Sequence, residues 1–174
     1  TARRIVTSGL EELCPTYWAV NREEHLAWHP GINPDFLERR TRGLQFLRQA
    51  KLTSGAALPR VNLQFPLNRT NFRNIGERVQ LALESGCDRV SFGVFRDYGG
   101  PFESECLTPV DRETIFDDMR RAGSLLERAG IRHNIRPYLD RLRLGGDAWR
   151  EYPCYVCFYE AYVKLDGSVF ACCR

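Results

Sequence analysis

The sequence predicts an α/β fold: parallel strands joined by helices, followed by a β-hairpin that carries paired cysteines. Three observations predict it. Strand-like and helix-like periodicities alternate along residues 1–136 in the order β, α, β, α, β, α, β. Glycines stand where the helical patterns stop, at Gly86 and Gly130. Near the end, Asp166-Gly167 separates two short runs rich in aromatic and β-branched residues, a spacing that suits a two-residue reversal. Alternation of this kind implies parallel strands with right-handed crossovers.

Residues 1–8 read as the tail of a helix stopped by Gly9, so a preceding segment is expected. Residues 10–18 follow as a strand, and Pro15 argues for an edge position because it removes a ladder donor. Residues 21–34 read as an irregular loop. His25 and His29 lie four apart, a spacing that would suit a metal on a helix, but Pro30-Gly31 argue against a helix there. Surface or packing roles are therefore expected for both.

Residues 35–51 form a helical pattern with Leu37, Leu44 and Leu47 on one face and Asn33 or Asp35 as caps around Pro34. Residues 52–58 are a loop of small residues. Val61, Leu63, Phe65 and Leu67 then alternate with Asn62, Gln64 and Pro66. Such a strand buries one row, and the polar row is free to face a site. After a turn at residues 68–71, residues 74–85 are helical with Ile75, Val79, Ala82 and Leu83 inward. A strand over residues 89–95 leads into a long loop with Gly99-Gly100 and Cys106. Thr108 caps the next helix, Pro109 opens it, and Ile115, Met119, Ala122 and Leu126 form its stripe to Arg128. Residues 131–136 are expected as a fourth strand, with a short helix or loop over residues 141–150. Ligands of such sheets bind beyond the carboxyl ends of the strands, and long loops there often carry function.

The chain has 174 residues, 43% hydrophobic and 27% charged, enough for a real core. Its net charge of +3 comes from 25 basic and 22 acidic residues that are interspersed. Nucleic-acid binding calls for a larger and clustered excess, so none is expected. No apolar run is long enough to span a bilayer and no signal peptide is evident, so no membrane role is expected. Seven cysteines without export signals indicate a reducing, cytoplasmic setting.

Four of those cysteines, Cys154, Cys157, Cys172 and Cys173, flank the expected hairpin, which would draw them together as soft ligands. Disulfides, zinc and an iron–sulfur cluster are the three uses open to them. Nothing else in the chain looks secreted, which weighs against disulfides. A zinc ribbon usually has two Cys-x2-Cys knuckles, whereas Cys172 and Cys173 are adjacent. An iron–sulfur cluster also takes thiolates. Cys14 and Cys87 are expected as buried structural thiols, and Cys106 as a loop thiol. His133 falls mid-strand as a core histidine.

The spacing Cys154-x12-Gly167-x4-Cys172, with Pro153 ahead and Cys173 behind, resembles the opening of the auxiliary-cluster domain (SPASM or twitch) of radical S-adenosylmethionine enzymes. The strand series resembles the second half of that family's partial (β/α) barrel. Residues 13–19 (Leu-Cys-Pro-Thr-Tyr-Trp-Ala) resemble its fourth strand, with Thr16 where the ribose-contacting hydroxyl sits. Residues 59–65 with Thr70-Asn71-Phe72 resemble its fifth strand and exit, and Arg89-Val90-Ser91-Phe92 its sixth.

The resemblance implies residues 1–150 as a barrel half and residues 151–174 as the start of the auxiliary domain. It implies S-adenosylmethionine contacts at Thr16 and Asn71, and an auxiliary 4Fe-4S cluster on Cys154 and Cys172, with Cys157 and Cys173 as further candidates. Asn71 can equally bond its own turn. The implied activity is hydrogen abstraction from a substrate by a 5′-deoxyadenosyl radical. Substrates of relatives include peptides, sugars and protein side chains, and a reducing partner such as a flavodoxin or ferredoxin is implied. The family's Cys-x3-Cys-x2-Cys loop is absent from this sequence. It is expected to precede Thr1 together with three further strands, and this chain alone is expected to be inactive. The competing expectation is a zinc-stapled α/β binding module without catalysis.

Overall fold

The computed structural model describes residues 1–33, 35–97, 100–144, 162–163 and 166–170. The chain forms two compact units, Thr1–Arg143 and Leu144–Arg174.

The first unit contains helices α1 (Ala2–Val6), α2 (Arg22–Trp28), α3 (Asp35–Ser54), α4 (Ile75–Ser85), α5 (Pro109–Arg128) and α6 (Ile135–Leu144). Its strands are β1 (Glu12–Leu13), β2 (Arg60–Leu67), β3 (Arg89–Val94) and β4 (Arg132–His133). They form one parallel sheet in the order β1-β2-β3-β4. Sequential order has a direct consequence. When every crossover is right-handed and steps the same way, the connecting helices fall on one face.

Burial follows that rule. Val61, Leu63, Phe65 and Leu67 share one core with Leu44 and Leu47 of α3, Ile75 and Val79 of α4, and Ile115, Met119 and Leu126 of α5. The intervening row of β2, Asn62, Gln64 and Pro66, lies on the opposite face. There Ser91 donates to Asn62 Oδ1 at 2.9 Å and Thr16 donates to Gln64 Oε1 at 3.3 Å.

Local chemistry sets the element ends. Thr108 and Asp111 form a reciprocal capping box around Pro109. Gly86 closes α4 at φ 60°, a left-handed conformation that favours glycine. Pro15 breaks the first strand into β1 and a separate bridge between Thr16 and Gln64, at the sheet edge where a missing N–H is tolerated. No helix among the described residues is long and apolar enough to cross a membrane.

In this unit α3 runs on to Ser54, into the stretch expected as a loop, and three further expectations change. Residues 22–28 are helical, because Asn21 accepts from the Glu24 N–H at 2.9 Å as an N-cap and Pro30-Gly31 fall just beyond the helix end. The fourth strand shortens to Arg132–His133. The Asn134 side chain pairs both ways with the Phe92 backbone, at 2.7 and 2.8 Å, which imitates a ladder residue while the chain turns into α6. Cys14, expected to be buried, is exposed, because its side chain stands on the polar side of an edge strand.

In the second unit, β5 (Tyr162–Val163) pairs antiparallel with β6 (Val169–Phe170). Val163 opposes Val169, a wider reversal than two residues at Asp166-Gly167 would give. Gly167 takes φ 82°, and Asp166 accepts from the Ser168 N–H and hydroxyl instead of adopting positive φ. Cys154, Cys157, Cys172 and Cys173 lie outside the described residues.

Candidate functional site

The carboxyl ends of β1, β2 and β3 meet buried polar and aromatic groups. The first is a buried network under the exit of β1. Glu24 of α2 and Arg78 of α4 are 3% and 0% exposed, so neither charge is solvated by water. They pair through two hydrogen bonds of 3.1 and 2.9 Å. Asn74 donates to Glu24 Oε1 at 2.8 Å and the Val20 N–H donates to Oε2 at 3.0 Å, so the carboxylate is satisfied on both oxygens.

Asn71 extends this network. Its amide donates to the Trp18 carbonyl and to the Pro66 carbonyl, both at 3.0 Å, and its Oδ1 accepts from the Asn68 N–H at 2.9 Å. One fully buried side chain thus clamps the exits of the first two strands together. Asn68 in turn accepts from the N–H groups of Thr70 and Asn71 and from the Thr70 hydroxyl.

Above the clamp, Trp18 and Trp28 of the β1–β2 connection converge with Phe95, which follows β3. The two indoles stack with centroids 5.6 Å apart, and Phe95 meets each edge-on at 5.8 Å. Trp28 Nε1 donates to Thr70 Oγ1, which fixes the indole over the turn after β2. All three rings are half-buried. Arg40 of α3 lies 4.0 Å from the Tyr17 ring centroid and donates to the Thr16 carbonyl, so a cation flanks the same strand exit.

Comparisons with family models, with curated proteins and with solved structures found no match.

Of the two S-adenosylmethionine contacts expected from the sequence, Thr16 is half-buried on the polar face with its hydroxyl on Gln64. Asn71 is wholly buried, with both amide hydrogens held by carbonyls. The two are joined through the short strand exit rather than through one open surface. Among the described residues no group of three or more His, Cys, Asp or Glu could hold a metal ion. The four candidate cluster thiols are outside those residues.

Sequence reasoning missed Glu24, Arg78, Trp28 and Phe95. A signal for Glu24 existed: Asn21-Arg22-Glu23-Glu24 is an N-cap followed three residues later by glutamate, before an apolar stretch. Arg78 sits among inward apolar residues of α4 and reads as a solvated arginine unless its partner is known.

Proposed function

We propose that this chain is part of a radical S-adenosylmethionine enzyme: half of a partial (β/α) barrel followed by the beginning of an auxiliary 4Fe-4S domain with a cysteine-bearing hairpin. The observation that carries the proposal is the singly wound parallel sheet with helices on one face and a polar row on the other. A barrel interior has this inside–outside division, and a doubly wound sheet does not.

The donor chemistry agrees in part. Thr16 offers a hydroxyl on the polar face, where it would hydrogen-bond a ribose. Asn71 serves that position indirectly by holding the Trp18 and Pro66 carbonyls, so the strand exit presenting Thr16 stays fixed. Cys154 and Cys172, with Cys157 and Cys173 beside them, form a thiolate-rich set suited to iron and sulfide. When bound, a reduced cluster and S-adenosylmethionine supply a radical that takes a hydrogen from the substrate, a peptide, sugar or protein side chain. The electron would come from a flavodoxin or ferredoxin. The protein's own task is to orient substrate and exclude water. The sequence lacks Cys-x3-Cys-x2-Cys, so the chain alone would not cleave S-adenosylmethionine.

Anaerobic reconstitution of the full chain with iron and sulfide tests the proposal. The expected product is brown, with a visible absorption band that Cys154→Ser or Cys172→Ser removes. Stoichiometric zinc, with no iron uptake, would favour the zinc-stapled binding module.

A further inference from the structure

Helix α2 changes the standing of a histidine pair that the sequence left in a loop. His25 lies in its last turn and His29 follows its end, with the His29 N–H still bonded to the His25 carbonyl at 2.8 Å. The helical hydrogen bond keeps the two residues on one side of the helix, where i and i+4 side chains are neighbours. Their ring centroids are 5.0 Å apart at an interplanar angle of 49°. Two imidazoles sharing a tetrahedral ion, each nitrogen about 2.0–2.1 Å from it, have centroids about 5 Å apart.

A second observation is independent of that spacing. His25 is 1% exposed, and its Nε2 has no hydrogen-bond partner. A buried polar atom without a partner is costly, and an imidazole nitrogen can meet that cost as a donor, as an acceptor or as a metal ligand.

We infer that His25 and His29 form a transition-metal site of the Zn²⁺ or Ni²⁺ class, with two imidazole ligands and solvent in the remaining positions. Imidazole suits these ions. No third His, Cys, Asp or Glu joins the pair among the described residues, so the site is open rather than closed. The Arg40 guanidinium, beside the Tyr17 ring, opposes a cation and keeps the affinity modest. This inference is independent of the iron–sulfur proposal, because none of its ligands is a thiolate.

The test uses the full chain with Cys154, Cys157, Cys172 and Cys173 replaced by serine, so that tail thiols do not compete. Zn²⁺ is titrated while the side-chain nitrogens of the histidines are followed by ¹H–¹⁵N correlation spectra. The chain has three histidines. His133, whose Nε2 lies 3.5 Å from Glu127, is the internal reference. The expected result is that His25 and His29 shift together at one equivalent while His133 does not. His29→Ala, and separately His29→Gln, should weaken binding at least tenfold with the backbone spectrum otherwise unchanged. Shifts confined to His133, no shift of His25, or unchanged affinity in both His29 variants would overturn the site.

Discussion

Asn71 shows how much one buried amide can do. It donates to carbonyls from two strand exits and accepts from a third backbone group, so its removal takes a partner from three polar groups at once. Each buried group left unsatisfied costs about 1–3 kcal/mol, although the Trp18 carbonyl keeps a long contact to Arg78 at 3.4 Å. Asn71→Ala should therefore destabilise the α/β unit by about 2–4 kcal/mol, measured as a lowered urea midpoint with an unchanged slope. Asn71→Asp keeps the acceptor and the size but loses both donors, and should cost nearly as much. A side chain that served only to touch a ligand would leave the midpoint where it is. The sequence placed Asn71 correctly in a turn and left its role divided between turn and ligand. What it withheld was the partner list, since Trp18 lies far from Asn71 in the chain and only the parallel pairing joins them.

At the scale of elements, legibility followed the strength of local signals. The stripes of α3, α4 and α5 and the alternation of β2 were readable because period and burial coincide: Leu37, Leu44, Leu47 and Val61, Leu63, Phe65 are all buried. Helix α2 was missed because Pro30-Gly31 outweighed a cap that was present, and a terminator just past a helix looks the same as one that forbids it. Strand β4 was over-extended because Asn134 ends it through a side-chain pairing that no periodicity reveals. Helix α5 was predicted with its cap, and the capping box makes a pH prediction. Burial alone would raise the Asp111 carboxyl, but the Thr108 hydroxyl and N–H, with Arg69 and Arg73, overcome it and hold it below the usual aspartate range. A depressed folded value stabilises the native state above the unfolded value, about 3.9, and the contribution is lost as pH falls through the native one. Asp111→Asn should cost about 1 kcal/mol at neutral pH. The gap between variant and parent should close as denaturation curves are repeated below pH about 4. A gap that stayed constant into acid would mean the charge of Asp111 contributes nothing.

At the scale of the whole molecule, the three described cysteines differ in environment, and that difference gives the iron–sulfur proposal its most direct check. Cys87 is 5% exposed and burial pushes its thiol up to about 11, so it is both shielded and protonated at neutral pH. Cys14 is exposed. Partial burial and the neighbouring Glu12 carboxylate raise its thiol above the ordinary value, so it reacts slowly but without a steric barrier. Cys106 is half-buried, and its Sγ accepts from the Asp97 N–H at 3.4 Å. Alkylation of the anaerobic apo-chain, read by peptide mass, should therefore label Cys14 faster as pH rises and leave Cys87 unlabelled until denaturant is added. After reconstitution with iron and sulfide, Cys154 and Cys172 should become protected, with Cys157 and Cys173 following if they too are ligands, while Cys14 labels at its former rate. Protection of Cys14 in place of Cys154 and Cys172 would move the ligand set onto the polar face of the sheet and end the auxiliary-domain assignment. Unchanged labelling of all four terminal cysteines, with iron bound elsewhere or not at all, would end it as well.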